Sequence, residues 1–198
     1  MSSRISELQQ SISELEQELE REFNAARDAW SYRIEAGRIR FEREAREAHA
    51  RLKQRIPAYL RDSSVRNILS IPVIWTVIVP IACLDAWVTV YQAICFRLYG
   101  ISRVRRSAYI VIDHRHLEYL NAIERLNCVY CGYANGVLAY VREIAGRTEQ
   151  YWCPIRHATR IKAPHTHYRD FVDFADAQGH KRRLLSLRSE LKSDDQTE

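Results

Sequence analysis

Cys128, Cys131, Cys153 and His157 are the residues of this chain whose types and spacing best suit chemistry. They stand in C-V-Y-C-G and, after a gap of 21 residues, in W-C-P-I-R-H. Three thiolates and an imidazole make a soft Cys3His donor set, the kind that holds a tetrahedral metal. In the first pair the glycine after Cys131 lets the chain turn tightly, as in a metal knuckle. In the second, Pro154 follows the cysteine. Proline favours the first helical position, so Cys153 is expected to cap a helix, with His157 one turn further along the same face. C-x-x-C alone also serves as a redox dithiol or as two small buried residues; the added C-x3-H favours a metal. A shell closed by four protein ligands leaves no open position for a substrate, which points to structural zinc. The same donors also suit iron, as a mononuclear centre or a [2Fe–2S] cluster whose potential histidine ligation tunes.

Other groups are weaker candidates. His114 and His116 form one H-x-H pair, and His165 and His167 form a second after Pro164. Neutral histidine is the commonest metal ligand, and Asp113, Glu118, Glu124, Glu143 and Glu149 offer carboxylates. No Glu-x-x-His pair of the di-iron type is present. Cys83 and Cys95 lie in an apolar stretch and read as small buried hydrophobes. Asp85 interrupts that stretch. An ionisable group there either pairs with a cation or marks the end of an apolar block.

Composition excludes several functions. The chain has 198 residues, a net charge of +5 and only 6 glycines. Acidic and basic residues are interleaved rather than clustered, which argues against a nucleic-acid surface. There is no Walker A or dinucleotide glycine signature, no G-x-S-x-G or H-E-x-x-H, and no secretory signal at the polar N-terminus. Free thiols at metal-type spacing suit a reducing compartment.

The elements that must position the candidate ligands are mainly helical. Residues 1–57 are expected to form one long coiled-coil helix. Its seam runs through Ile5, Leu8, Ile12, Leu15 and Leu19, slips at Phe23, and continues through Ala26, Trp30, Ile34, Gly37, Phe41, Ala45, Ala48 and Leu52 until Pro57. Such a seam implies a homo-oligomer; an amphipathic helix folded on its own chain or lying on a bilayer is the alternative. Residues 58–106 hold a membrane segment, apolar from Ile68 to Leu84 and again from Ala86 to Phe96. Basic residues flank it on both sides, so the positive-inside rule sets no orientation. A re-entrant hairpin bent at Pro80 leaves both flanks in the cytoplasm; a single kinked spanning helix is the competitor.

Residues 107–168 are expected to form the Cys3His module. It would comprise a short strand over residues 107–112, a helix capped by Asp113 that delivers the chain to Cys128, a turn at Asn135-Gly136, and a second helix from Val137 to Thr148. Residues 169–198 close the chain with a basic amphipathic helix from His180 to Lys192, docking on the module or on anionic lipid, and an acidic tail.

The segment A-Y-I-V-I-D-H-R-H-L-E-Y-L-N-A-I-E-R-L-N-C-V-Y-C-G-Y-A-N-G, with R-T-E-Q-Y-W-C-P-I-R-H, resembles a group of uncharacterised bacterial proteins over roughly residues 91–162. The resemblance implies a bacterial source and brings no activity with it. The C-x3-H half also looks like part of the CDGSH iron–sulfur motif, whose cluster has Cys3His ligation. That family uses C-x-C and a much shorter gap, so the likeness is one of ligand type. The expectation is thus a homo-oligomeric scaffold of the bacterial inner membrane, partnered by the lipid bilayer and by itself, with structural zinc in a cytoplasmic module. The alternative is a membrane-bound iron or [2Fe–2S] redox protein using the same ligands. No nucleophile with a base at defined spacing points to an enzyme.

Overall fold

The computed structural model describes residues 3–28, 32–35, 38–41 and 43–193. Its described residues are mainly helical. In order they form α1 (Ser3–Asp28), the strands β1 (Tyr32–Glu35) and β2 (Arg38–Phe41), α2 (Arg43–Arg51), α3 (Ile56–Asp62), α4 (Val65–Thr76), α5 (Ile78–Tyr99), α6 (Arg106–Tyr109), α7 (Ala122–Trp152) and α8 (Ala177–Ser193).

The expected continuous N-terminal helix is broken. After Asp28, β1 and β2 pair antiparallel, with Tyr32 opposite Phe41 and Ile34 opposite Ile39. The physical reason lies in a second period within the same residues. Aromatic and β-branched residues alternate with charged ones at Tyr32-Arg33-Ile34-Glu35 and Arg38-Ile39-Arg40-Phe41, which suits a strand. Trp30 and Gly37 of the expected seam, and the acidic tail from residue 194, lie outside the described residues.

Helices α4 and α5 run on as one apolar rod rather than reversing as a hairpin. Val77, between them, keeps right-handed helical angles (φ −66°, ψ −21°). The interruption has a local cause. Pro80 has no N–H for the Thr76 carbonyl, and its ring crowds that carbonyl. The regular bonds resume at once with Ile81 N–H to the Val77 carbonyl (3.3 Å). α5 ends at Gly100, whose φ of +67° is the left-handed cap that glycine adopts without strain.

From Gly100 the chain returns along the body as an irregular strap, residues 101–121. The strand expected over residues 107–112 does not form: Arg106–Tyr109 make one helical turn, and the chain beyond is extended. Asp113 precedes only a 3-10 turn, His114–His116. The helix cap is instead Asn121. Its side chain accepts from the N–H groups of Ile123 and Glu124, while Glu124 accepts from the Asn121 N–H (2.9 Å), a reciprocal capping box. Near this turn α2 docks on the strap, with Arg46 on Glu118 at 3.1 Å and the His49 ring edge-on to Tyr119.

The largest correction concerns α7. It runs unbroken for 31 residues through both Cys131-Gly132 and Asn135-Gly136, which were expected to turn. Its glycines serve close approach instead. A Cβ on Gly136 would meet the Tyr109 carbonyl oxygen at 2.7 Å and Ile110 Cα at 2.9 Å; one on Gly132 would stand 3.4 Å from the Val111 oxygen. The strap therefore crosses α7 over the G-x-x-x-G notch of Gly132 and Gly136, where small residues admit a second backbone.

The core lies where α5, the strap, α7 and α8 meet: Phe96, Ile101, Val104, Tyr140, Ile144 and Leu191 are buried together. The expected C-terminal helix is present as α8. It docks on the module through Leu187 and Leu191, with Gln150 donating to the Leu187 carbonyl and Arg188 to that of Tyr151.

Candidate functional site

The four expected metal ligands do not share a shell within one chain. Cys128 and Cys131 lie on adjacent turns near the start of α7, whereas Cys153 is its C-cap. At 1.5 Å of rise per residue, α7 separates Cys128 from Cys153 by about 37 Å. Cys153 ends a helix rather than starting one. The residue before a proline avoids helical angles, and Cys153 adopts φ −147° and ψ 61°. His157 lies in the following loop, 3.3 Å from the Tyr168 hydroxyl through Nδ1. Among the described residues no three His, Cys, Asp or Glu side chains converge as they would around a metal ion. His114 sits beside Asp113 (3.2 Å), and His116 faces Arg115 in the same turn.

The structure builds a seam of polar and aromatic contacts between the α4–α5 rod and α7 instead. Contacts pair Trp75 with Tyr130, Asp85 with Tyr133, Gln92 with Tyr140 and Tyr99 with Tyr151. Both series rise along the chain, so the two helices run parallel. Asp85, Gln92 and Tyr99 recur every seven residues, as do Tyr133, Tyr140 and Arg147. A period of seven keeps one stripe facing a parallel partner.

Each polar layer is satisfied. Asp85, 7% exposed, accepts a forked pair from Arg106 (3.0 Å to Oδ1, 2.5 Å to Oδ2) and a third bond from the Tyr133 hydroxyl (2.9 Å). Gln92 treats the strap as a second strand would. It donates to the Val104 carbonyl (3.3 Å) and accepts from the Val104 N–H (2.9 Å), so an irregular buried backbone keeps both its bonds. Higher up, Arg147 donates to the Ser102 carbonyl (3.2 Å) and Tyr91 bonds Thr148 (3.0 Å). The strap is thus tied to both helices by buried hydrogen bonds.

A second cluster ties the loop after Cys153 to α7. His167 Nε2 donates to Glu143 and His165 Nε2 to Glu149, each at 2.9 Å, while Arg147 also holds Glu143 at 2.8 Å. Gly146 lies between the two carboxylates, and a Cβ there would meet His165 Nδ1 at 2.9 Å. The glycine makes room for the imidazoles. Burial pushes the Glu143 carboxyl up, but His167 and Arg147 outweigh it and bring it from 4.5 down to about 2.

The face of α4–α5 turned away from α7 remains apolar and uncovered. Leu69 (71%), Val79, Trp87 (77%), Val90, Ile94 and Leu98 (77%) are exposed along it. Val65–Tyr99 together form a helix of 35 residues with mean hydropathy 2.1 in its most apolar window, long and apolar enough to cross a membrane. The apolar run of this face was expected as the membrane segment, and Asp85, His165, His167, Glu143 and Glu149 were named as candidate groups, but the pairing of the seam and the Gly146 clamp were not foreseen from the sequence. Their signals were the seven-residue spacing of Asp85, Gln92 and Tyr99, the G-x-x-x-G of α7, and the N-x-x-E cap. In comparisons with known proteins, the chain matches no family model, no curated protein and no solved structure.

Proposed function

We propose that this protein is a membrane-bound scaffold whose α4–α5 rod lies along one leaflet, joined to further copies through α1. The observation that carries the reading is the uncovered apolar face from Leu69 to Leu98. Contiguous apolar surface of this extent calls for lipid or a partner. At about 52 Å the rod is longer than the roughly 30 Å hydrocarbon core requires.

The strap favours lying in one leaflet over crossing. Arg103, Arg105 and Arg106 stand exposed beside α5, at the level between Asp85 and Gln92. A span centred on α5 would submerge these guanidiniums together with extended backbone, which hydrocarbon does not tolerate in contact with lipid. A one-sided attachment also suits basic flanks at both ends, since both then meet the same anionic surface.

One observation favours a span. Trp75 with Tyr130, and Tyr99 with Tyr151 and Trp152, form aromatic clusters about 36 Å apart along the rod, the spacing of two interfacial belts. The experiment separates the two readings with a membrane-impermeant maleimide. In oriented membrane vesicles, single-cysteine proteins carry Cys83, Ser64→Cys at one end of the rod, or Ser189→Cys. Ser189 is exposed on α8 near the other end, where the Ser102 N–H bonds the Leu191 carbonyl. The leaflet reading expects Cys83 to react only after detergent, with residues 64 and 189 labelled from the same side. Labelling from opposite sides establishes a span. Reaction of Cys83 without detergent removes the membrane reading altogether.

The oligomeric part rests on α1. Leu8, Ile12, Leu15 and Leu19 are exposed on it; Ile12 at an a position and Leu8 and Leu15 at d positions match the preference of parallel dimers, while Leu19 also falls at a. Light scattering on the detergent-solubilised protein is expected to give a multiple of the 23.3 kDa chain mass, and the single mass for Leu8→Asp/Leu15→Asp.

A further inference from the structure

Arg156 and His157, the last two residues of C-P-I-R-H, line an open cavity of about 880 Å³ together with Arg160, Lys162, Tyr168, Asp173 and Phe174. The loop that forms it is fastened at both ends. Near its start, Arg156 N–H donates to the Val172 carbonyl (2.7 Å) and Val172 N–H to that of Pro154 (2.9 Å), as a parallel bridge. At its far end, Arg142 on α7 donates to the carbonyls of Ala163 (2.8 Å) and Pro164. Across the middle, the His157 N–H donates to the Tyr168 hydroxyl (2.7 Å). The walls are therefore held in place before any ligand arrives.

The charge is one-sided. Asp173 is the only carboxylate in the lining, and Arg156 already engages it at 3.2 Å. Arg160 and Lys162 are exposed and make no ion pair among the described residues. A concave cationic wall with arginine forks suits phosphate, which accepts paired N–H bonds. The volume exceeds what a bare phosphate fills and falls within the range of small-molecule sites. The rings of Tyr168 and Phe174 offer apolar surface to the remainder of such a ligand.

We propose that this cavity binds a phosphate group carried on an organic body, with Arg160 and Lys162 as the principal contacts. The phosphate comes either from a soluble metabolite or from a lipid headgroup, and the proposal does not depend on where α4–α5 lies. The test is titration calorimetry on the full-length protein in non-ionic detergent. ATP represents the soluble source, and short-chain phosphatidic acid below its micellar concentration represents the headgroup. Saturable binding is expected for at least one, and the tighter ligand names the source. Arg160→Gln/Lys162→Gln is expected to weaken it by at least about ten-fold. The control, Arg182→Gln/Arg183→Gln on exposed α8, should stay within about two-fold. Both doubles alter exposed side chains, and unfolding curves matching the wild type confirm that they fold. Equal loss in the two doubles would reduce the binding to general surface charge and overturn the site. So would the absence of saturable binding to either probe.

Discussion

Gly136→Ala is the sharpest perturbation of this fold, because two well-measured effects oppose one another at that residue. Inside a helix, alanine is better than glycine by about 1 kcal/mol, so on an isolated α7 the change would stabilise. Here the new Cβ would stand 2.7 Å from the Tyr109 carbonyl oxygen and 2.9 Å from Ile110 Cα. Both are backbone atoms and cannot swing aside as a side chain would. The strap that carries them is held by Asp85 on Arg106 and by Gln92 on Val104. Relief therefore means shifting the strap by a large fraction of an ångström and straining those bonds. Overpacking of this kind costs about 1–3 kcal/mol, and each buried hydrogen bond weakened adds up to about 1. The balance is a net loss of about 1–2 kcal/mol, or roughly 2–8 °C in Tm for a chain of this size. Gly132→Ala is the matched control. Its Cβ would make ordinary contact with the Val111 oxygen at 3.4 Å, so the helical gain should survive and Tm should hold or rise slightly. Thermal unfolding by circular dichroism in detergent reads both. If Gly136→Ala proves as stable as Gly132→Ala, the strap does not lie in the notch and the packing described for residues 101–121 is wrong.

Three further expectations follow from the polar contacts. Glu143 is depressed from 4.5 to about 2. A lowered carboxyl contributes stability above pH 4.5 that is lost as pH falls towards 2, with an upper bound of roughly 3 kcal/mol. Glu143→Gln should flatten the stability–pH curve across that window, and an unchanged slope would show that the His167 clamp is not formed. At the Asp85–Arg106 pair the two halves should differ. Arg106→Leu leaves a 7% exposed carboxylate with Tyr133 alone and should cost about 3 kcal/mol, whereas Asp85→Leu leaves a half-exposed guanidinium that can rehydrate and should cost less. Equal costs in urea unfolding would contradict the burial of Asp85. Finally, a zinc chelator should leave Tm unchanged, because α7 holds Cys128 and Cys131 far from Cys153; a fall of several degrees would restore the shared site.

What could be read from residues alone was whatever depends on local periodicity. The apolar run of α4–α5, the basic helix at the C-terminus and the exposed stripe of α1 follow from spacing within a few turns, and each is present as a helix. Pro80 marked where the helical ladder is interrupted but not whether the chain continues or reverses there. Removing one hydrogen bond is compatible with either, and α7 packs along both α4 and α5 of the continuous rod. The N-terminal seam fails at Tyr32–Phe41, where the period-two alternation of a strand and the heptad both place apolar residues at Ile34 and Phe41.

The four Cys3His residues are kept apart within one chain for a related reason. C-x-x-C-G and N-G are turn signals when the glycines are free to adopt open angles, yet glycine is equally what a helix needs where another backbone passes. Nothing adjacent in sequence tells Gly132 and Gly136 that Tyr109–Val111 will cross them. The choice between turn and helix is made by contacts across more than twenty residues, together with the Asn121–Glu124 cap that starts α7. Sequence by itself determined the donor types, the apolar length and the helical class. Tertiary structure alone decided that α7 is one rod, which holds the thiolates apart, aligns Asp85 with Tyr133 and Gln92 with Tyr140, and leaves one face of α4–α5 uncovered. Local propensity is settled within a turn or two, whereas the convergence of side chains depends on which backbones can approach.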